Sequence, residues 1–160
     1  MSATHAAPNL TRRRILVAAP LLALAAGCSQ AVAGPRQLTV YKTRDCTCCL
    51  GWVAHMKRAG FSAKVIELDD ITPVRERFGV PFELSSCHTG VIGGYVVEGH
   101  VPAADVVRLL EERPRAVGLL VPGMPFGAPG MEGPGGRREA FDTLLLLDAN
   151  GRTRLFARHS

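Results

Sequence analysis

Three cysteines fall within four residues of "DCTCCLGW", at positions 46, 48 and 49. Cys46 and Cys49 have the C-x-x-C spacing of a thiol–disulfide oxidoreductase, which needs one attacking and one resolving sulfur. Cys48 is surplus to that chemistry and harmful to it, because it can trap wrong pairings. A metal site gains from each added thiolate, and soft thiolates select Cu(I), zinc or iron–sulfur clusters. Three sulfurs on one turn do not easily surround a single tetrahedral ion, because adjacent side chains diverge. They can bridge several ions, as thiolates do in Cu(I) clusters. A mononuclear four-cysteine zinc site spaces its ligands more widely than the adjacent pair Cys48-Cys49. Stapling is a poor use as well, since bridges within one turn close almost no loop. A bond between adjacent cysteines, whose Cα atoms lie about 3.8 Å apart, falls short of the separation a disulfide prefers.

The elements that must hold these sulfurs follow from pattern. "LTVYKT", 38–43, is β-branched and aromatic and predicts a strand. From Cys48 or Cys49 to Ala59 the spacing of Trp52, Val53 and Met56 predicts a helix that stops at Gly60, with Trp52 packing it on a sheet. "SAKVIELD", 62–69, predicts a second strand, and "TPVRERFG", 72–79, a short helix opening on Thr-Pro and closing on glycine. "TGVIGGYVVEGHVP", 89–102, predicts a hairpin turning at Gly93-Gly94. The G-x-G-x-x-G and P-loop patterns of phosphate binding are absent. Pro102 introduces the apolar stripe Val106, Val107, Leu109 and Leu110, which Pro114 ends. Residues 117–139, rich in Gly and Pro, predict mostly loop, and Asn150-Gly151 predicts a final hairpin. The order β-α-β-α-β-β-α, with a cysteine motif between first strand and first helix, predicts an α/β, thioredoxin-like fold. Its central mixed β-sheet is flanked by helices and followed by a Gly/Pro-rich loop and a C-terminal β-hairpin.

In that layout the cysteine turn lies at a helix N-terminus. Unpaired N–H groups and the positive end of the dipole favour thiolate there. Lys42 and Arg44 add positive charge, and Asp45 is placed to bond a helix N–H. The segment "SSCHTG", 85–90, enters the hairpin opposite the turn. Cys87 should therefore face Cys46, Cys48 and Cys49, with His88 adjacent; the bland alternative is an inert buried thiol.

Residues 1–14 carry Arg12, Arg13 and Arg14 and no acid, and 15–26, "ILVAAPLLALAA", are apolar. A membrane span needs about 20 such residues. A basic stretch before a short apolar one is the pattern of a secretory signal, here spanning 1–33, and "TRRRIL" also fits a twin-arginine signal. "LAAGC" resembles a lipoprotein box cleaved before Cys28, and "AVA" at 31–33 offers cleavage after Ala33. Either leaves an exported, periplasmic domain, 34–160, with the membrane involved only through a lipid anchor at Cys28. The leader holds three of the 19 basic residues and none of the 14 acidic ones, so the rest carries 16 against 14, a net +2. That balance, with no basic run interleaved with aromatics, gives no case for nucleic-acid binding. It also leaves four working cysteines: 46, 48, 49 and 87.

Together "VYKTRDCTCCLGWVAHMKRAGF", "SCHTGVIGGYVVEGHVPAADVVRLLEERP", "GLLVPGMPFGAPGME" and "ARH" resemble, in order over nearly all of 38–159, the CopG-like exported copper-resistance proteins. The resemblance implies a thioredoxin-like fold, a periplasmic site, copper bound by clustered cysteines, and a role in copper tolerance. It lays the C-x-C-C motif on Cys46, Cys48 and Cys49 and a Cys-His pair on Cys87 and His88. One departure is Thr47, where the motif has glycine; no ligand is lost.

The expected function is therefore to hold Cu(I), as several ions, in a thiolate cluster of Cys46, Cys48, Cys49 and Cys87 with His88 beside it. Zinc is the alternative metal. Interconversion of Cu(I) and Cu(II) would make the protein a copper oxidoreductase, with binding expected ahead of turnover. Its expected partners are copper ions and periplasmic copper-handling or electron-transfer proteins. The alternative function is a thiol–disulfide oxidoreductase using Cys46 and Cys49. Met124 and Met131, in "GMPFGAPGME", offer soft thioether ligands over the cluster, with gap-filling as the competing role. His100 is expected at the strand end away from the cysteines. His55, two turns beyond Cys48 and about 10 Å along the helix, is too far to share its ion. His159 is read as an outer partner or an exposed residue.

Overall fold

The computed structural model describes Met1 and residues 36–160. Apart from Met1, the leader expected at 1–33 and the processing sites expected at Cys28 and Ala33 lie outside the described residues, as does His5.

The first strand is β1, Arg36–Thr43, and the cysteine turn leads from it into α1, Thr47–Arg58. The chain continues through β2, Phe61–Leu68, and α2, Thr72–Phe78. A hairpin of β3, His88–Ile92, and β4, Tyr95–Glu98, precedes α3, Ala103–Glu112. Then come β5, Gly118–Leu120, β6, Phe141–Leu146, and β7, Thr153–His159. The seven strands form one sheet in the order β2-β1-β3-β4-β5-β6-β7. β1 runs parallel to β2 and antiparallel to β3, and β5 runs parallel to β4, so the sheet is mixed, as expected. The segment 117–139 differs from its expectation in one respect. Its first residues form β5, which pairs on both sides; three residues ahead of a Gly/Pro run carry too little periodicity to be read as a strand.

Strand alternation divides the helices between the two faces. Leu38 and Val40 point with Gly90 and Val97 toward α1, where Leu38 and Trp52 both crowd Gly90. Trp52, Val53 and Met56 of α1 join Val106 and Leu109 of α3 in one core on that face. Full burial of a side chain such as Met56 or Leu109 stabilises by about 1.5–3 kcal/mol. Tyr41, Thr89 and Glu98 point the other way, and Phe78 of α2 packs at 6.3 Å from the Tyr41 ring. The Gly93-Gly94 turn has both φ values positive, 58° and 86°, the conformation a two-residue hairpin requires. Among the described residues no helix is long and apolar enough to cross a membrane.

Candidate metal centre

Cys46 is the N-cap of α1, and neither it nor Asp45 supplies a side-chain cap. Thr47, Cys48 and Cys49 are then the first three helical residues, so the turn presents uncapped N–H groups to the sulfurs. The positive side chains expected to assist are engaged elsewhere. Lys42 is buried and pairs with Glu67 of β2 at 2.9 Å, and Arg44 pairs with Asp69 at 2.9 Å. The local field at the cysteines comes from the helix end.

The four sulfurs converge as expected, all within 4.8 Å of one another. Cys48 Sγ lies 3.6 Å from Cys46 Sγ and 3.7 Å from Cys87 Sγ. Two sulfurs bound at about 2.3 Å to one tetrahedral ion stand about 3.7 Å apart. The spacing therefore suits sulfurs that share an ion, and Cys48, bracketed by two others, suits a bridge. Cys46 and Cys49 are joined in a disulfide, with Cα atoms 5.6 Å apart. A four-thiolate set forms when that bond is reduced. Cys48 and Cys87 are free. Burial first, and then the adjacent Cys48 sulfur, push the Cys87 thiol up to about 12.

Cys87 also faces two histidines. His88 Nδ1 lies 3.3 Å and His100 Nε2 3.0 Å from its sulfur, and the three groups form a second convergent set. His88 is fully buried between the Trp52 ring at 4.3 Å and the His100 ring at 5.1 Å. Its Nε2 is buried with no hydrogen-bond partner among the described residues. Burial, then His100, hold its pKa well below the usual 6.5. With Nδ1 turned to the Cys87 thiol, the neutral ring can offer that nitrogen to an ion held at the cysteines, while Nε2 stays buried without a partner. His100 Nδ1 donates to the Pro129 carbonyl at 2.8 Å. That bond fixes the tautomer and leaves Nε2 as a lone pair aimed at the cluster.

His100 departs from its sequence expectation, because it lies at the cysteines. The signal that finds it is the hairpin. The β3–β4 ladder ends at Thr89 and Glu98, and beyond it the Gly99 N–H bonds the His88 carbonyl, so the strand ends hold Cys87 and His100 facing each other. Of the remaining candidates, Met124 is half-exposed. Its neighbour Gly123 accepts a hydrogen bond from the Ser86 hydroxyl. Met131 follows Gly130, whose backbone rests on the first turn of α1. His55 is spent elsewhere, accepting the Ala103 N–H at 3.0 Å, and His159 pairs with Asp105 at 2.9 Å.

A family model described as a protein of unknown function, DUF411, matches residues 84–131, a stretch that includes Cys87, His88, His100 and Met131. No curated protein matches the chain. Among solved structures, copper resistance protein CopG in its form 2 is 42% identical, with a TM-score of 0.73, covering 79% of this chain and 99% of that one. Form 1 of CopG is also 42% identical, with a TM-score of 0.72 and coverage of 78% and 98%. With this identity over nearly the whole of those structures, the chain belongs to the CopG copper-resistance protein family.

Proposed function

We propose that this protein binds copper as Cu(I), in more than one ion per chain, outside the cytoplasm, and so contributes to copper tolerance. The ligands are the sulfurs of Cys46, Cys48, Cys49 and Cys87, with His88 and His100 completing the cysteine side that Cys87 shares. Met124 and Met131 are candidates for outer thioether contacts, with gap-filling as the competing role, and the leader expected at 1–33 provides export. One observation carries the reading: four cysteine sulfurs within 4.8 Å, with a fixed histidine lone pair 3.0 Å from one of them. So dense a set of soft donors favours Cu(I) over harder cations. The kinship with copper-resistance proteins supports the same choice. Reduced protein titrated anaerobically against a chromophoric Cu(I) chelator should take up more than one Cu(I) per chain. Cys87→Ser should lower that number. Zero uptake, or a preference for zinc in direct competition, would overturn the assignment.

The disulfide favours a second reading. The Cys46 and Cys49 thiolates can each give one electron to a Cu(II), yielding two Cu(I) and one disulfide. The same pair could serve disulfide exchange with another protein. A disulfide-reductase assay separates exchange from copper work, since Cys48→Ser would leave exchange intact and impair the cluster.

A further inference from the structure

Cys87 stands just before β3 and lies outside the β1–β3 and β3–β4 ladders. Its sulfur nevertheless has to meet Cys48 and two histidines within a few tenths of an ångström for a shared ion to form. We propose that Glu98 and Arg75, a buried ion pair on the opposite face of the sheet, act as a clamp that positions Cys87. The proposal rests on the reading of Cys87 as a copper ligand.

Glu98 is fully buried, Arg75 is 13% exposed, and their closest atoms lie 3.1 Å apart. A buried pair of this kind contributes little net stability, because desolvation offsets the attraction. Its contacts show what it holds. Glu98 Oε1 accepts the Ser86 N–H at 2.7 Å, and Arg75 Nη2 donates to the Ser86 carbonyl. That carbonyl belongs to the peptide bond joining Ser86 to Cys87, so the pair grips the residue before Cys87 at both ends. Glu98 Oε2 accepts the Thr89 hydroxyl at 2.6 Å, and the Gly99 N–H donates to the His88 carbonyl at 3.0 Å. Cys87 is thus bracketed at 86, 88 and 89 from two consecutive residues of the hairpin.

Gly99 brings the loop onto the strand end. Its φ is +72°, and a Cβ there would come within 2.6 Å of the Ser86 Cβ and 2.7 Å of the Val121 carbonyl oxygen. Burial pushes the Glu98 carboxyl up, against the pull of Thr89, Ser86 and Arg75. Every partner it has is a donor, which an ionised carboxylate satisfies. α2 buries no residue of its own, and its Arg75 reaches under the sheet to this one peptide. The clamp plays for a cysteine the part that outer hydrogen bonds play for metal-bound histidines, where loss of the partner weakens binding about 10–100-fold.

The test uses the full chain in two states. In metal-free, reduced protein, labelling of Cys87 by iodoacetamide, followed by mass spectrometry, should run severalfold faster in Glu98→Ala and Arg75→Ala than in wild type. In copper-loaded protein the same variants should bind Cu(I) at least about tenfold more weakly, with Arg75→Lys recovering part of the loss. Glu98→Gln, which keeps the shape and one acceptor, provides an intermediate should the alanine variant fail to fold. Asp105→Asn removes another buried carboxylate, one tied to Thr143 and His159, and should change neither readout. Wild-type labelling rates and copper affinity in folded Glu98→Gln and Arg75→Ala would overturn the clamp. So would an Asp105→Asn effect of equal size, which would reduce it to general stability. Failure of the wild type to bind copper would instead overturn the function and leave the labelling result to judge the clamp.

Discussion

The Pro129 carbonyl takes the Nδ1 hydrogen of His100, so the ring reaches the Cys87 sulfur with its other nitrogen bare. A ligand prepared in this way pays no tautomer cost when an ion arrives. His100→Gln should therefore weaken Cu(I) binding by about tenfold or more, measured by chelator competition, while the far-ultraviolet circular dichroism of the metal-free protein stays unchanged. An affinity equal to wild type would confine Nε2 to the Cys87 thiol. At this scale the sequence is informative wherever ligands crowd in one turn. Cys46, Cys48 and Cys49 declare themselves by spacing, and Cys87 by the strand it precedes. His100 is 13 residues from Cys87, and proximity over that distance exists only through the hairpin register. The Gly93-Gly94 turn was legible, and counting outward from it would have reached the histidine. Lys42 and Arg44 show the converse: their charge is legible, but Glu67 of β2 and Asp69 just beyond it consume it.

At the scale of elements, the Gly/Pro-rich segment is a fitted part of the site. Gly130 lies against the first turn of α1, where its φ of +84° is a left-handed conformation. A Cβ there would sit 2.5 Å from the Trp52 nitrogen and 2.8 Å from the Cys48 carbonyl oxygen, both backbone atoms that cannot swing aside. The adjacent Pro129 delivers the carbonyl that orients His100. Gly130→Ala combines this collision with a backbone strain of about 1–3 kcal/mol, so urea unfolding should show a loss of at least that size. Because the same loop orients His100, copper affinity should fall too. A variant as stable as wild type would mean that the loop relaxes away from α1 at no cost. From sequence the segment is visible only as Gly and Pro content, which predicts irregular backbone. Which surface an irregular backbone covers depends on tertiary contact. β5 escaped for the same reason, because its pairing partners β4 and β6, rather than its own three residues, make it a strand.

Across the whole molecule, α1 and α3 share one face of the sheet, and His55 is a polar tie between them. Its Nε2 accepts the N–H of Ala103, the first residue of α3, at 3.0 Å, so the bond needs a neutral ring. Burial chiefly, and then Arg58, lower its pKa from the usual 6.5, with Glu132 opposing. The sign of the effect on folding follows. Above 6.5 the ring is neutral in both folded and unfolded chains, and the tie is fully present. As pH falls below 6.5 the unfolded chain takes up the proton first, so stability is lost progressively down to the depressed folded value. His55→Gln keeps an acceptor for Ala103 and removes the titration. It should therefore flatten the fall in melting temperature of the metal-free protein between neutral and mildly acidic pH. The buried His88 and His100 titrate in both proteins, so the difference between the two profiles isolates His55. An acid limb as steep in His55→Gln as in wild type would show that the link between α1 and α3 is not what mild acid breaks.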